Sequence, residues 1–142
     1  MEKEEIASLA RRVALFQGLT VDDIAKIFAK GMTIRAQKGE TIFFKGTTGS
    51  QMYVVLAGKV VVYDGERCIA ELTTGDTFGE MALIDSEPRS ATVVAAEDSH
   101  LFVLSETTFQ RLMTKRAAIR ILLNIVRTLS HRLREANVRL TH

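Results

Sequence analysis

Apolar side chains recur every three or four positions at both ends of the chain and crowd into short glycine-bounded runs in the middle. Near the N-terminus, Ile6, Leu9, Val13 and Phe16 keep the spacing that puts one face of a helix toward a core. Gly18 interrupts that pattern. Thr20, with Asp23 three positions on, then predicts a capping box opening a second helix. Ile24, Ile27 and Phe28 form its apolar face, and Gly31 ends it. From 32 to 104 the rhythm changes to short runs rich in Val, Ile, Thr, Phe and Tyr. These predict strands over 33–36, 41–44, 52–56, 59–63, 68–72, 90–95 and 100–104. Asp64-Gly65 between two of them is a hairpin turn signal. The pattern predicts an α+β, mainly β fold: an antiparallel β-roll or jelly-roll barrel of about eight strands that protects its edges.

Helical spacing returns after Ser105, which reads as an N-cap. Ile119, Leu122, Val126, Leu129, Leu133, Ala136 and Leu140 alternate steps of three and four, a heptad seam. Ile121, Leu123 and Ile125 add a second apolar stripe. One stripe is expected to pack on the domain and the other on a second copy, giving a parallel homodimer through Ile119, Leu122, Val126, Leu129, Leu133 and Leu140. The chain is expected to be one domain over 1–142, with N-terminal helices to 31, a β-roll over 32–104 and C-terminal helices over 105–142.

With 142 residues, 46% of them hydrophobic, the chain is long enough to bury a single core and too apolar to be disordered. No apolar run approaches the ~20 residues that span a bilayer, and the N-terminus lacks a signal core. A lone cysteine, Cys68, excludes an internal disulfide and a multi-cysteine metal site. These features predict a cytoplasmic protein. Cys68, in a strand pattern, reads as a small core residue. The formal charge of +2 is uneven: from residue 110 onward eight Arg or Lys face the single acid Glu135. The reading adopted is a solvated basic helix face, with bases favoured near the helix C-terminus. Neither a helix-turn-helix nor zinc-finger spacing supports nucleic-acid binding.

One segment, 75–92, departs from the strand rhythm. Gly75 and Gly79 allow tight backbone approach, a short helical turn runs from Glu80 to Leu83, and Pro88, the only proline, stops it before Arg89. Backbone N–H groups of such a turn beside a guanidinium fork make an anion pocket suited to phosphate. Glu80, of opposite sign, is suited to a sugar hydroxyl. Taken singly, Glu80 reads as a surface carboxylate and Arg89 as a partner for Asp85 or Glu87. Together they read as a sugar-phosphate clamp.

The run Phe78-Gly79-Glu80-Met81-Ala82-Leu83 followed by Pro88-Arg89-Ser90-Ala91-Thr92 closely resembles the phosphate-binding cassette of cyclic nucleotide-binding domains. The resemblance covers nearly the whole chain. Leu15-Phe16-Gln17-Gly18-Leu19, Gly39-Glu40, Phe44-Lys45-Gly46 and Val54-Val55-Leu56-Ala57-Gly58-Lys59-Val60 also match, and the last helix is similar to the C-helix of regulators of the catabolite activator type. It implies that Glu80 bonds a ribose 2′-hydroxyl and Arg89 the cyclic phosphate. It further implies that backbone groups near Gly79, Met81 and Ala82 line the sugar-phosphate and that Ser90 adds a polar contact. Phe78 and Ala91 belong to the same cassette, which spans 78–92. The base would lie on Val62, Ile69 and Leu72, capped from the C-helix by Arg132, Ala136 and Asn137. Ala136 stands where catabolite-activator-type members carry threonine, so the base-specific hydrogen bond falls to another group such as Asn137.

The function so implied is regulatory binding of cyclic AMP, favoured over cyclic GMP, with no enzyme activity, no metal and no cofactor. The cassette would close on phosphate, Leu83 would repack and the C-helix would swing over the base. Neither nucleic acid nor membrane is expected as a partner of this chain alone, and a downstream protein partner is left open; the chain reads as a stand-alone sensor without a DNA-binding domain, the alternative being the excised regulatory domain of a longer protein. The alternatives are a sensor of another small ligand on the same fold, or a dimerisation module with a vestigial pocket.

Overall fold

Two strands in the middle of the sequence carry apolar residues at nearly every position, and their place in the fold explains it. The computed structural model describes residues 8, 11–85, 87–112 and 115–141. Ile6 and Leu9 of the N-terminal pattern and Ser86 of the cassette lie outside the described residues. The strands are β1 (Met32–Ala36), β2 (Thr41–Phe43), β3 (Gln51–Ala57), β4 (Lys59–Asp64), β5 (Arg67–Thr73), β6 (Thr77–Phe78), β7 (Thr92–Ala95) and β8 (Ser99–Ser105). The α-helices are α1 (Val21–Lys30), α2 (Glu106–Leu112) and α3 (Lys115–Thr141), with 3-10 turns at Ala14–Phe16 and Glu80–Leu83.

The eight strands form two four-stranded antiparallel sheets, β1-β8-β3-β6 and β2-β7-β4-β5. β3 and β8 are central in the first sheet and buried on both faces. Tyr53, Val55, Leu101 and Val103 point between the sheets, against Val60, Leu72, Phe78 and Val93. Met52, Val54, Phe102 and Leu104 point the other way, into a second core with Ile24, Ile27, Phe109, Ile121 and Ile125 of the helices. The alternation of side chains along a strand thus feeds two cores, and neither face is polar.

The predicted β-roll stands, with corrections. The N-terminal helical pattern ends as a 3-10 turn at Ala14–Phe16, with Val13 extended just before it. Thr20 caps α1 through its hydroxyl, which accepts from the Asp23 amide at 3.1 Å. Ser105 caps α2 by accepting from the Thr108 amide. β6, only two residues long, shows no period and was not foreseen. The strand expected over 90–95 starts at Thr92, because the Arg89 N–H and C=O are engaged by Thr47 and Gly46. Cys68 is exposed rather than in the core, since β5 is an edge strand and Cys68 lies near its hairpin end.

On α3 two stripes separate. Ala117, Ile121, Asn124 and Ile125 are buried, whereas Ile119, Leu122, Val126, Leu133 and Leu140 are exposed. Two positions correct the sequence reading: Leu129, placed in the outer seam, packs on the core of its own domain, and Leu123, placed on the inner stripe, is exposed. Among the described residues no helix is long and apolar enough to cross a membrane.

Candidate functional site

The cassette begins where β6 ends. Gly79 has φ of 73°, a left-handed conformation that L side chains resist, and this turns the chain out of β6 into the short 3-10 helix. That turn buries Glu80, Ala82 and Leu83 and leaves Met81 exposed. The Ala82 amide donates to the Gly79 carbonyl to close the turn, so this one of the expected backbone donors is already engaged. Pro88 then releases the chain into Arg89, whose backbone is clamped to the 46–47 loop.

Glu80 is 3% exposed and Arg89 9%, so both charged groups sit inside the protein. Neither pairs with Asp85 or Glu87. Arg89 donates from Nη1 to the Gly79 carbonyl at 3.3 Å and from Nη2 to the Gln51 carbonyl at 2.7 Å. Burial pulls its pKa below the ordinary arginine value, and the nearby Tyr53 and Glu80 oppose that shift. Burial also pushes the Tyr53 phenol up, with Arg89 pulling it down. Glu80 Oε1 accepts from Arg132 Nη1 at 2.7 Å, and Arg132 Nη2 reaches the Thr77 carbonyl at 2.8 Å. Glu80 Oε2 and Arg89 Nε are buried and have no hydrogen-bond partner among the described residues. An acceptor and a donor, each expensive to leave unmade, therefore stand on the same cassette.

α3 crosses this cassette. Arg132 fastens it to Glu80, and in its last turn Arg139 Nη1 donates to the Ile69 carbonyl on β5 at 3.4 Å. Ala136 and Asn137 lie between these two points, both exposed. Below them, Ile69 is exposed, Val62 half-buried and Leu72 buried in the core between the sheets. α3 is thus tied at one point to the cassette, through Glu80 and Thr77, and at another to β5, through the Ile69 carbonyl. Phe78 and Ala91 are buried beneath the cassette, with Phe78 stacked on Tyr53 (centroids 4.9 Å apart), and Ser90 is exposed.

Sequence reasoning missed the supports. Asn124, 3% exposed, donates from Nδ2 to the Leu15 and Gln17 carbonyls, both at 2.8 Å, and so ties α3 to the N-terminal turn. An amide inside an apolar helical stripe was the available signal. Gln51 and Thr77 act through backbone carbonyls, which side-chain identity does not reveal. A separate open groove of about 460 Å³ lies between Gly18–Thr20 and Arg116–Leu123 and shares no residue with the cassette. No cluster able to hold a metal ion is found among the described residues.

The family model of the cyclic nucleotide-binding domain matches residues 33–116, and the chain belongs to that family. It is 34% identical over 131 residues to the cyclic AMP receptor protein of Thermus thermophilus, covering 89% of this chain and 60% of that protein. It is 35% identical over 105 residues to a cAMP-dependent protein kinase regulatory subunit of Colletotrichum orbiculare, covering 72% of this chain and 27% of the subunit. Among solved structures, the Thermus thermophilus catabolite activator protein superposes with a TM-score of 0.78 at 34% identity, covering 90% of this chain and 62% of that one. The regulatory domain of Toxoplasma gondii PKA, crystallised with cAMP, superposes at 0.71 and 28% identity, covering 81% and 46%. The chain spans under two thirds of the length of these relatives.

Proposed function

We propose that this chain binds a cyclic nucleotide, cyclic AMP in preference to cyclic GMP, and acts by that binding without catalysing a reaction. The observation that carries the reading is the pair of buried, unpartnered atoms on one cassette, Glu80 Oε2 and Arg89 Nε. A cyclic phosphate supplies acceptors to Arg89, and a ribose 2′-hydroxyl supplies a donor to Glu80. The backbone at Gly79 and Met81 and the Ser90 hydroxyl complete the sugar-phosphate end. The base lies on Val62 and Ile69, backed by Leu72 from the core between the sheets, beneath Arg132, Ala136 and Asn137. The Thermus thermophilus relative's description as a cyclic AMP receptor supports the choice of cyclic AMP.

Transmission runs through α3. Arg132 couples the helix to the group that meets the sugar, so the ligand shifts the helix by its differential affinity for the two positions. The exposed stripe Ile119, Leu122, Val126, Leu133 and Leu140 docks a second copy in parallel, and 1–142 acts as one domain. The lone cysteine and the lack of a membrane-spanning helix among the described residues support a cytoplasmic location.

Calorimetric titration with cyclic AMP and cyclic GMP tests the site. Arg89→Ala removes a charge-assisted contact of about 1.5–3 kcal/mol, which is one to two decades in Kd. Unchanged affinity in the variant overturns the assignment. A 2′-deoxy ligand should bind more weakly than its parent and be insensitive to Glu80→Ala. Light scattering on Leu133→Glu tests the dimer: the wild type should run as a dimer and the variant as a monomer.

A further inference from the structure

Arg89 is held on three sides, and one of them is not a hydrogen bond. Its two terminal nitrogens donate to the carbonyls of Gly79 and Gln51. Its guanidinium carbon lies 4.2 Å from the centroid of the Phe43 ring. Phe43 ends β2, a strand of the opposite sheet from β3 and β6. Its ring packs against Tyr53 and Phe78, with centroids 5.9 Å away in each case, and those two rings stack on each other. The aromatic group therefore rests on the core between the sheets. Glycine clears the remaining space: a Cβ on Gly49 would stand 2.5 Å from Arg89 Nη2, and one on Gly79 would stand 2.8 Å from Nη1.

We propose that Phe43 is a positioning residue for phosphate capture: its ring holds the Arg89 guanidinium by cation–π contact. The unused N–H edge then faces the ligand. The proposal rests on the reading that Arg89 takes the cyclic phosphate. A buried cation would otherwise seek water or a carboxylate, and burial already disfavours its charge. A ring face offers negative potential without supplying a competing anion. The two carbonyls fix the orientation of the fork and leave its other donors for phosphate oxygens. A leucine at position 43 would fill similar volume with no such potential.

The test is a double-mutant cycle read as affinity for cyclic AMP by calorimetry. Phe43→Leu should weaken binding by about five- to thirty-fold, the worth of a desolvated cation–π contact. Phe43→Tyr, which keeps the ring, should stay within about threefold of wild type. In an Arg89→Ala background the same Phe43→Leu step should change affinity by less than about twofold, because its effect acts through the missing guanidinium. An equal loss in both backgrounds, or no loss in wild type, overturns the proposal. Should Phe43→Leu not fold by urea denaturation, Phe43→Met carries the same comparison. A wild type that binds no cyclic AMP overturns the functional reading itself, a different result from a wild type that binds and ignores Phe43.

Discussion

The ion pair between Glu80 and Arg132 joins the cassette to α3, and removing its cation gives a prediction with a calculable size. Glu80 is 3% exposed and the Arg132 side chain 39%. Arg132→Ala deletes a 2.7 Å bond to a buried carboxylate and a 2.8 Å bond to the Thr77 carbonyl. Breaking a fully buried pair costs about 3–5 kcal/mol, because one charge is stranded. Arg132 is more than a third exposed, so solvent screens part of that interaction and water reaches part of the gap. The expected loss is therefore about 1.5–2 kcal/mol, a fall of roughly 5–7 °C in Tm for a domain of this size. Glu80→Gln alone should cost less, since an amide needs no counter-charge. The double variant Glu80→Gln with Arg132→Ala should be more stable than the sum of the two single losses by about 1 kcal/mol. Urea denaturation of the four proteins without ligand measures this. An Arg132→Ala protein within about 0.5 kcal/mol of wild type, or strict additivity in the double variant, would refute the pairing as an energetic link.

Three other outcomes follow from the same geometry. Asn124→Ala strands the Leu15 and Gln17 carbonyls, and urea midpoints should show a loss of about 1–3 kcal/mol, whereas a surface-like change under about 0.5 kcal/mol would refute the anchor. Gly49→Ala puts a Cβ within 2.5–2.9 Å of the Arg89 guanidinium; calorimetry should show weaker cyclic nucleotide binding, and unchanged affinity would mean the guanidinium needs no such clearance. Burial raises the Tyr53 phenol above the ordinary value of 10.0, so its contribution is present below that pH and lost as pH rises through the folded value. Urea midpoints between about pH 9 and about pH 11 should fall less steeply for Tyr53→Phe than for wild type, and an equal slope would contradict the burial.

Much of this was legible in one sequence because local chemistry and tertiary role coincide. The glycine-bounded runs became strands since β-branched residues suit a pleated buried surface, and Thr20 and Ser105 cap helices wherever they are placed before one. Glu80 and Arg89 could be paired because the cassette brings them together within ten residues. What stayed hidden depends on residues far apart in the chain. The Arg132–Glu80 bond links positions 52 apart and the Asn124–Leu15 bond positions 109 apart. The heptad rule assigned Leu129 to the outer seam, but a helix facing two surfaces offers a 3–4 spacing to either one. Cys68 was misplaced because strand composition does not tell an edge from a centre. The Phe43 ring beside Arg89 left no trace in spacing, as it is set by contact with Tyr53 and Phe78 of the other sheet.

Thermal unfolding of wild type and Arg89→Ala, with and without cyclic AMP, reads the site directly. Ligand at about 100 times its Kd should stabilise the wild type by about 2.7 kcal/mol, which raises Tm by several degrees. Arg89→Ala at the same concentration should lose most of that shift. No shift in wild type, or an equal shift in the variant, would contradict a cyclic nucleotide site built on Arg89 and Glu80.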